Sequence, residues 1–411
     1  MMEMKKYKLS EIASFIGSGI TPLRSNENYW NSKDYPWLKT EQLGEYQIFD
    51  TNEYISKVAL EETNLKLFPK NTLSVAMYGE GKTRGNVSIL AEQMTTNQAC
   101  CNIIVDNKFA NYKFVYYWLK NSYYKLRSLS SGIRNNLNSE DIKKFEINLP
   151  SLPTQQKIAA VLSSLDDKIA LNKKINAKLE AMAKRLYDYW FVQFDFPNGE
   201  GKPYKTSGGK MVWNEVLKRE IPEGWEVKRL GDVISTSCER INTNDIKNQY
   251  YVPIEVIPRN KMSFHETAAL DKAATGLCSF KKRSILLSNR RVYFHKVCIS
   301  PFDGITRDTV IIINPKQNDN LGFVYQIVNS NHFIDYATVH SYGSEQPVLS
   351  TPAVLNYRII YPNCDLDMKY NQKIESFVSL VLQNEHEIQK LTSMRDRLLP
   401  LLMNGQVEVE G

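Results

Sequence analysis

The chain has 411 residues, too many for one hydrophobic core and suited to two domains with connectors. With 42% hydrophobic and 24% charged residues it has the composition of an ordinary soluble folded protein, and its net charge of +7 points weakly toward a polyanionic partner. No apolar run reaches membrane-spanning length, and MMEMKKYKLSEI has no signal-peptide core. Six cysteines (100, 101, 238, 278, 298 and 364) show no CxxC spacing and no histidine at zinc-ligand distance, so reduced thiols, no structural metal and a cytoplasmic setting are expected.

Residues 7–150 alternate short β-like runs with turns: Asn71–Met77 (NTLSVAM), Gly85–Leu90 (GNVSIL) and Ala99–Val105 (ACCNIIV). Phe109–Leu129, rich in aromatics, reads as helix. The expectation is a mixed α+β domain over 1–150.

A long helix is then predicted over Pro153–Phe191, within a segment spanning 151–194. Ile158, Leu162, Leu165, Ile169, Leu171, Ile175, Leu179, Met182 and Leu186 recur at three-four spacing, so they share one stripe. A helix of roughly 38 residues would be about 57 Å long. One apolar stripe on so long a helix needs a partner helix. Residues 195–224 are rich in Gly, Pro and Lys and read as a linker. A second globular block follows over 225–365.

The partner helix comes last, within 366–411. Asp367–Asn404 carries its stripe at Ile374, Val378, Val381, Ile388, Leu391, Leu398 and Leu402, with Asp367 as N-cap and Gly405 as stop. The two helices match at one offset: Gln156-Lys157-Ile158 with Gln372-Lys373-Ile374, Ile175 with Leu391, Leu186 with Leu402. Asn172 and Asn176 interrupt the first seam and Glu385 the second. They either fix register or mark a solvated widening.

The globules also repeat. Lys8–Ile12 matches Arg229–Val233, Asn71–Met77 matches Arg283–Asn289, and Thr96-Asn97-Gln98 matches Thr306-Arg307-Asp308. The fold class expected is therefore α+β: two similar mixed globular domains separated by two long antiparallel helices in a coiled-coil-like pair. Such a pseudo-two-fold repeat would present two similar surfaces at opposite ends. Positive charge concentrates in the globules. Residues 201–365 hold 21 Lys/Arg against 16 Asp/Glu, residues 1–152 hold 19 against 16, and residues 366–411 hold 5 against 7.

The order of a globule, a QQKIA-type helix, FDFP…GKPYKTSGGKMVW…IPEGW, a second globule and a QKI helix ending in RDRLLPLLMNG resembles the specificity subunit of type I restriction-modification systems. NRRVYFHKVCISPFDGITRD (289–308) is similar to segments of the same family. The resemblance covers essentially the whole chain. It implies a DNA-binding subunit, with 1–150 and 225–365 as two target recognition domains that each read one half of a bipartite sequence. It further implies that the helices dock two adenine-N6 methyltransferase subunits, and that restriction and motor subunits can join. The chain itself would bind no cofactor. S-adenosylmethionine would belong to the methyltransferase, and ATP and Mg to the restriction subunit.

Candidate DNA-binding residues follow from side-chain chemistry. Arg grips guanine or phosphate, Asn and Gln suit adenine, and Lys favours phosphate. In the first globule these are Lys82 and Arg84 in a basic loop, Asn97 with Gln98, and Arg134. In the second they are Lys281, Lys282 and Arg283, then Asn289, Arg290, Arg291, Tyr293 and His295, with Arg307 and Gln346. For each the plainer alternative is a solvated strand edge or a turn-stabilising hydrogen bond. Ala76–Thr83 fits a relaxed phosphate-loop pattern, but a β-like run follows where a helix must open, so a hairpin turn is expected. No Pro-Pro tetrad of an adenine methyltransferase occurs, nor a convincing nuclease pattern. The alternatives to a DNA reader are a coiled-coil scaffold with protein-binding globules and a cryptic nuclease or methyltransferase.

Overall fold

The computed structural model describes the chain except residues 1–2, 80, 130–135, 243–245, 247–248, 274, 318–319, 363–364, 408 and 410–411. It forms two units, residues 1–170 with 391–411 and residues 171–390. Each is an α+β body, and each takes part of both long helices.

The first long helix runs Leu152–Tyr187 and the second Leu366–Met403. Ser151 opens the first, taking the Gln155 N–H on its carbonyl, and Pro153 sits in a first turn whose amides need no partner. Gly405 closes the second with φ +66°. Its N–H bonds the Leu402 carbonyl and that of Gln406 bonds Leu401, the double bond of a Schellman end. Asp367 is not the expected cap. It is buried one residue inside the helix and accepts from Tyr361 Oη and from Asn320 Nδ2 at 2.9 Å.

Within the second unit the helices run antiparallel. Asn172 Nδ2 donates to Glu387 at 2.8 Å, Asn176 Nδ2 to Glu385 at 2.8 Å, and Tyr370 Oη to the Ala183 carbonyl at 2.8 Å. The seam is therefore not widened at Asn172 and Asn176. Both asparagines are buried and bonded across it. Leu171 and Met182, expected on the stripe, are 51% and 53% exposed, because the seam drifts through Ile169, Asn172, Asn176 and Ala183 instead. In the first unit the helices meet at Asp166, which accepts from Arg395 Nη1 at 2.6 Å and from Tyr117 Oη at 2.8 Å.

The globular parts share a four-strand order in their main sheets, to which the first unit adds a fifth strand. The first unit's main sheet has the order Ala13–Ser18, Cys100–Val105, Leu73–Ala76, Val87–Leu90, Gln47–Ile48. The second unit's runs Ile234–Thr236, Val310–Pro315, Ile285–Ser288, Val297–Ile299. Glu146–Leu149 pairs with Lys5–Lys8 just as Arg358–Tyr361 pairs with Glu226–Arg229. Single hydrogen bonds repeat too. Leu9 N–H bonds the Phe145 carbonyl at 2.9 Å and Leu230 N–H that of Tyr357 at 2.7 Å. Glu11 takes the Lys8 N–H and Asp232 takes that of Arg229. The expected helix over 109–129 is two, Tyr112–Asn121 capped by the Asn111 side chain, and Tyr123–Ser128.

Ile158, Leu162, Leu399 and Leu402 from the helices close the first core over Leu9, Val75, Ile103 and Tyr116. Ala183, Tyr370, Ile374 and Val378 close the second over Ile285, Ile313 and Phe323. Burying each Ile, Leu, Val or Phe among them stabilises by about 1.5–3 kcal/mol. The stretch expected as a linker is folded. Met211–Asn214 and Arg219–Pro222 pair as a hairpin, and Phe194 and Phe196 pack on Trp225 in the second core. Cys238 and Cys278 form a disulfide, against the expectation of free thiols. Pairing of Glu239–Ile241 with Leu277–Phe280 brings them together, Cα to Cα 5.0 Å.

Glu180, on the first long helix in the second unit, is pushed up to about 7 by burial. Glu385 nearby acts in the same direction, while the Met262 N–H it accepts opposes the shift. A carboxyl raised above its ordinary 4.5 favours folding while protonated. Its contribution is full below pH 4.5 and is lost as pH rises through 7. The second unit should therefore melt lower at pH 8 than at pH 5. Glu180→Gln should flatten that slope and stabilise at pH 8 by on the order of 2–3 kcal/mol. Parallel melting profiles for both proteins would contradict this.

Candidate nucleic-acid interface

The second unit gathers one group of the expected residues onto a single rim. Strand Ile285–Ser288 ends at Asn289, whose backbone joins two other segments. Its N–H donates to the Thr309 carbonyl at 3.0 Å, and its carbonyl accepts from Leu349 at 2.8 Å. Its side-chain Nδ2 donates to Asp308 O at 3.0 Å. Arg290 pairs with Val348, which pairs in turn with Tyr342. Arg291, at φ +48°, donates its N–H to the Pro347 carbonyl at 3.0 Å. Segments 289–293, 307–309 and 342–349 are thus tied together, and Asn289, Arg290, Arg291, Tyr293, Arg307 and Gln346 belong to them. Arg291, Gln346 and Tyr293 are exposed. Asn289 Oδ1 and Arg307 Nε are buried without a hydrogen-bond partner among the described residues, so this rim holds acceptor and donor capacity left over. Tyr342, 65% exposed on the same ladder, was not foreseen. Only the pairing with Val348 places it there.

The other basic residues of 281–296 lie elsewhere. Lys281, Lys282 and Arg283 occupy the turn at the opposite end of strand Ile285–Ser288. Lys281 Nζ is 3.8 Å from Asp303, whose side chain also accepts the Lys282 N–H at 2.7 Å. Arg283, in a left-handed turn, makes a two-pronged bond to Glu375 of the second long helix, at 2.8 and 2.7 Å. His295 turns inward, with Nε2 2.9 Å from both oxygens of Asn329. Their nearness in sequence is undone by left-handed residues at Arg283, Arg291 and His295.

The first unit repeats the scaffold. Met77 N–H donates to the Ala99 carbonyl at 2.9 Å, and the Met77 carbonyl accepts from Leu137 at 3.1 Å, matching the Asn289 bonds to Thr309 and Leu349. Lys82 and Arg84 lie in the connection from strand Leu73–Ala76 to strand Val87–Leu90, so no helix opens after the phosphate-loop-like pattern. Gly85, at φ +86°, makes the return possible. The Lys82 carbonyl accepts from Tyr123 Oη at 2.8 Å and the Arg84 carbonyl from Arg127 at 2.9 Å. Lys82 lines a cleft of about 670 Å³ with Lys120, Tyr123, Tyr124 and Arg127. Tyr124 is 83% exposed. Its helix was foreseen, but only the fold shows which face meets the loop. Asn97 is engaged in its own turn, its Oδ1 accepting from Ala99 N–H at 3.1 Å, and Gln98 accepts from Thr21. Arg134 lies outside the described residues.

One scaffold is used twice, each time presenting cationic and aromatic side chains. Comparison with known proteins agrees. The family profile described as "Type I restriction modification DNA specificity domain" matches residues 1–181 and again 222–393. The MjaIX specificity subunit of Methanocaldococcus jannaschii is 29% identical over 98% of this chain and 93% of its own. The HindI specificity subunit of Haemophilus influenzae is 24% identical over 69% of this chain and 74% of its own. A crystal structure of the type I restriction-modification S subunit from M. genitalium shares the fold with a TM-score of 0.58 at 16% identity, covering 98% of this chain and 96% of that one. The chain belongs to the family of type I restriction-modification specificity subunits, whose domains recognise DNA and do not catalyse. Such subunits generally bind no cofactor of their own. Among the described residues no helix is long and apolar enough to cross a membrane.

Proposed function

We propose that the chain reads a split duplex-DNA target in the cytoplasm, one half through residues 1–150 and the other through 225–365. The spacer helices, 151–194 and 366–411, separate the readers and dock two adenine methyltransferase subunits. Restriction and motor subunits join that assembly. The base to be methylated must leave the stack, and the pocket that receives it belongs to the partner together with S-adenosylmethionine. ATP and Mg serve the restriction subunit. The observation that carries this reading is the three-segment scaffold held by equivalent hydrogen bonds in both units. In the second unit Asn289, Arg290, Arg291, Arg307 and Gln346 face DNA, with Tyr293 and Tyr342 beside them. In the first, Lys82, Arg84, Tyr124 and Arg127 do. Arg283 and His295 hold the structure behind the rim.

Arg290→Ala or Arg291→Ala is expected to affect one half of the target only. A side chain on a guanine edge loses about 1–3 kcal/mol on removal, and that base becomes degenerate. One on phosphate weakens binding to every sequence and lowers the salt slope by about one. Gel shifts over a salt series with the methyltransferase-bound chain distinguish the two. Binding unchanged in both respects removes this rim from the interface.

A further inference from the structure

We infer that Glu385 is a positioning residue that seats the second reading domain on the helical pair and thereby enforces the length of the unread spacer. The inference rests on the split-target reading above. Glu385 is 6% exposed on the second long helix. One carboxylate oxygen lies 2.7 Å from His265 Nδ1 of the reading domain, and the other accepts from Asn176 Nδ2 of the first long helix at 2.8 Å. Asn176 Oδ1 in turn accepts from Asn384 Nδ2 at 2.8 Å. Three elements therefore meet at one side chain.

The packing around this node explains why it matters. A cavity of about 500 Å³ opens beside it, lined among others by Asn176, Glu180, Met262, Tyr325 and Glu385. Elsewhere along the helices the core of Ala183, Tyr370, Ile374 and Val378 and the Arg283–Glu375 bond hold the domain. Beside this cavity close packing is interrupted, and the directional hydrogen bonds of Glu385 fix the angle there. The residue matching Glu385 at the repeat offset is Ile169, which is buried and apolar. The node is thus an addition to the second half and no part of the common repeat. A rotation of the reading domain on its helices moves its DNA-facing rim in phase, and one base-pair step is a twist of roughly 34–36°.

The test uses the full chain with its methyltransferase subunits and S-adenosylmethionine, on a DNA library carrying the two half-sequences at the native spacer and at one base pair more or fewer. Glu385→Ile, which installs the repeat-equivalent residue, should raise N6-methyladenine at the altered spacers about tenfold relative to the native one. Glu385→Gln keeps an acceptor for Asn176 and a polar partner for His265, and should retain the native spacer. Should Glu385→Ile fail to fold, His265→Leu breaks only the domain's side of the node and must relax the spacer in the same way. A split motif whose spacer stays strict in the folded variants overturns the inference alone. Altered half-sequences overturn it as well, because they would make Glu385 part of base reading. A wild-type pattern that is not split overturns the underlying reading of the target and this inference with it.

Discussion

Replacing Arg395 by alanine is expected to destabilise the first unit by about 3–5 kcal/mol, because it strands a charge in the interior. The Asp166 side chain is only 2% exposed and that of Arg395 14%. Without the guanidinium, Asp166 keeps the hydrogen bond from the Tyr117 hydroxyl and the field of the buried Lys120, but no ion pair in contact. Burial and the nearby Asp166 carboxylate push the Tyr117 phenol well above its ordinary range, so it remains a proton donor and cannot neutralise the site. The pair joins both long helices to the helix Tyr112–Asn121 that backs the first reading domain. Replacing Asp166 and Arg395 together by leucine should recover most of the loss, since no ion is then left unpaired. Urea unfolding, with hydrogen exchange of residues 112–121 reporting on the first unit, checks both variants. A loss below about 1 kcal/mol for Arg395→Ala would place this pair among exposed ion pairs that contribute little.

The second large effect is on specificity. Four extra residues add about 6 Å of helix and about 400° of rotation, so the phase returns to within roughly 40°. That phase error is close to one base-pair step of roughly 34–36°. The polar contacts show where an insertion should go. Asn172 bonds Glu387, while Asn176 bonds Glu385 and Asn384. An insertion between Lys173 and Lys174, matched by one between His386 and Glu387, falls between these contacts on both helices and keeps each of them. The matched variant should retain both half-sequences and lengthen the unread spacer by one or two base pairs. Inserting into the first helix alone forces the seam to slip by one turn. It should add a stability cost near that of Arg395→Ala, because Asp166 then loses its partner. Methylation mapping of both variants decides. A spacer unchanged by the matched insertion would mean that helix length does not set the distance.

What was legible from residues alone follows from what periodicity encodes. The long helices came within a few residues of their observed ends, because stripes of Ile, Leu and Val at three-four spacing can be satisfied in one way. The repeat was legible because Leu9 and Leu230, or Met77 and Asn289, occupy equivalent backbone positions. Polar contacts were not legible. Nothing local shows that Asn176 meets Glu385 209 positions away, or that Cys238 reaches Cys278 across 40. The basic run 281–296 misled for a related reason. Left-handed conformations at Arg283, Arg291 and His295 redirect the chain in residues that carry no turn signal, and neighbours in sequence reach different places. Residues 195–224 have a linker's composition, rich in Gly, Pro and Lys, yet Phe194, Phe196, Ile221 and Trp225 anchor the stretch in the core.

On the proposed function this chain chooses the sequence while another subunit performs the chemistry. The direct measurement is transfer of labelled methyl groups from S-adenosylmethionine to duplex DNA by this chain alone, by the cognate methyltransferase alone and by the two together, with the modified positions mapped. This chain alone is expected to transfer nothing, and the pair to leave N6-methyladenine at a motif of two defined halves around an unread spacer. Methyl transfer by the isolated chain, or the same methylated motif from the methyltransferase without it, would contradict the account.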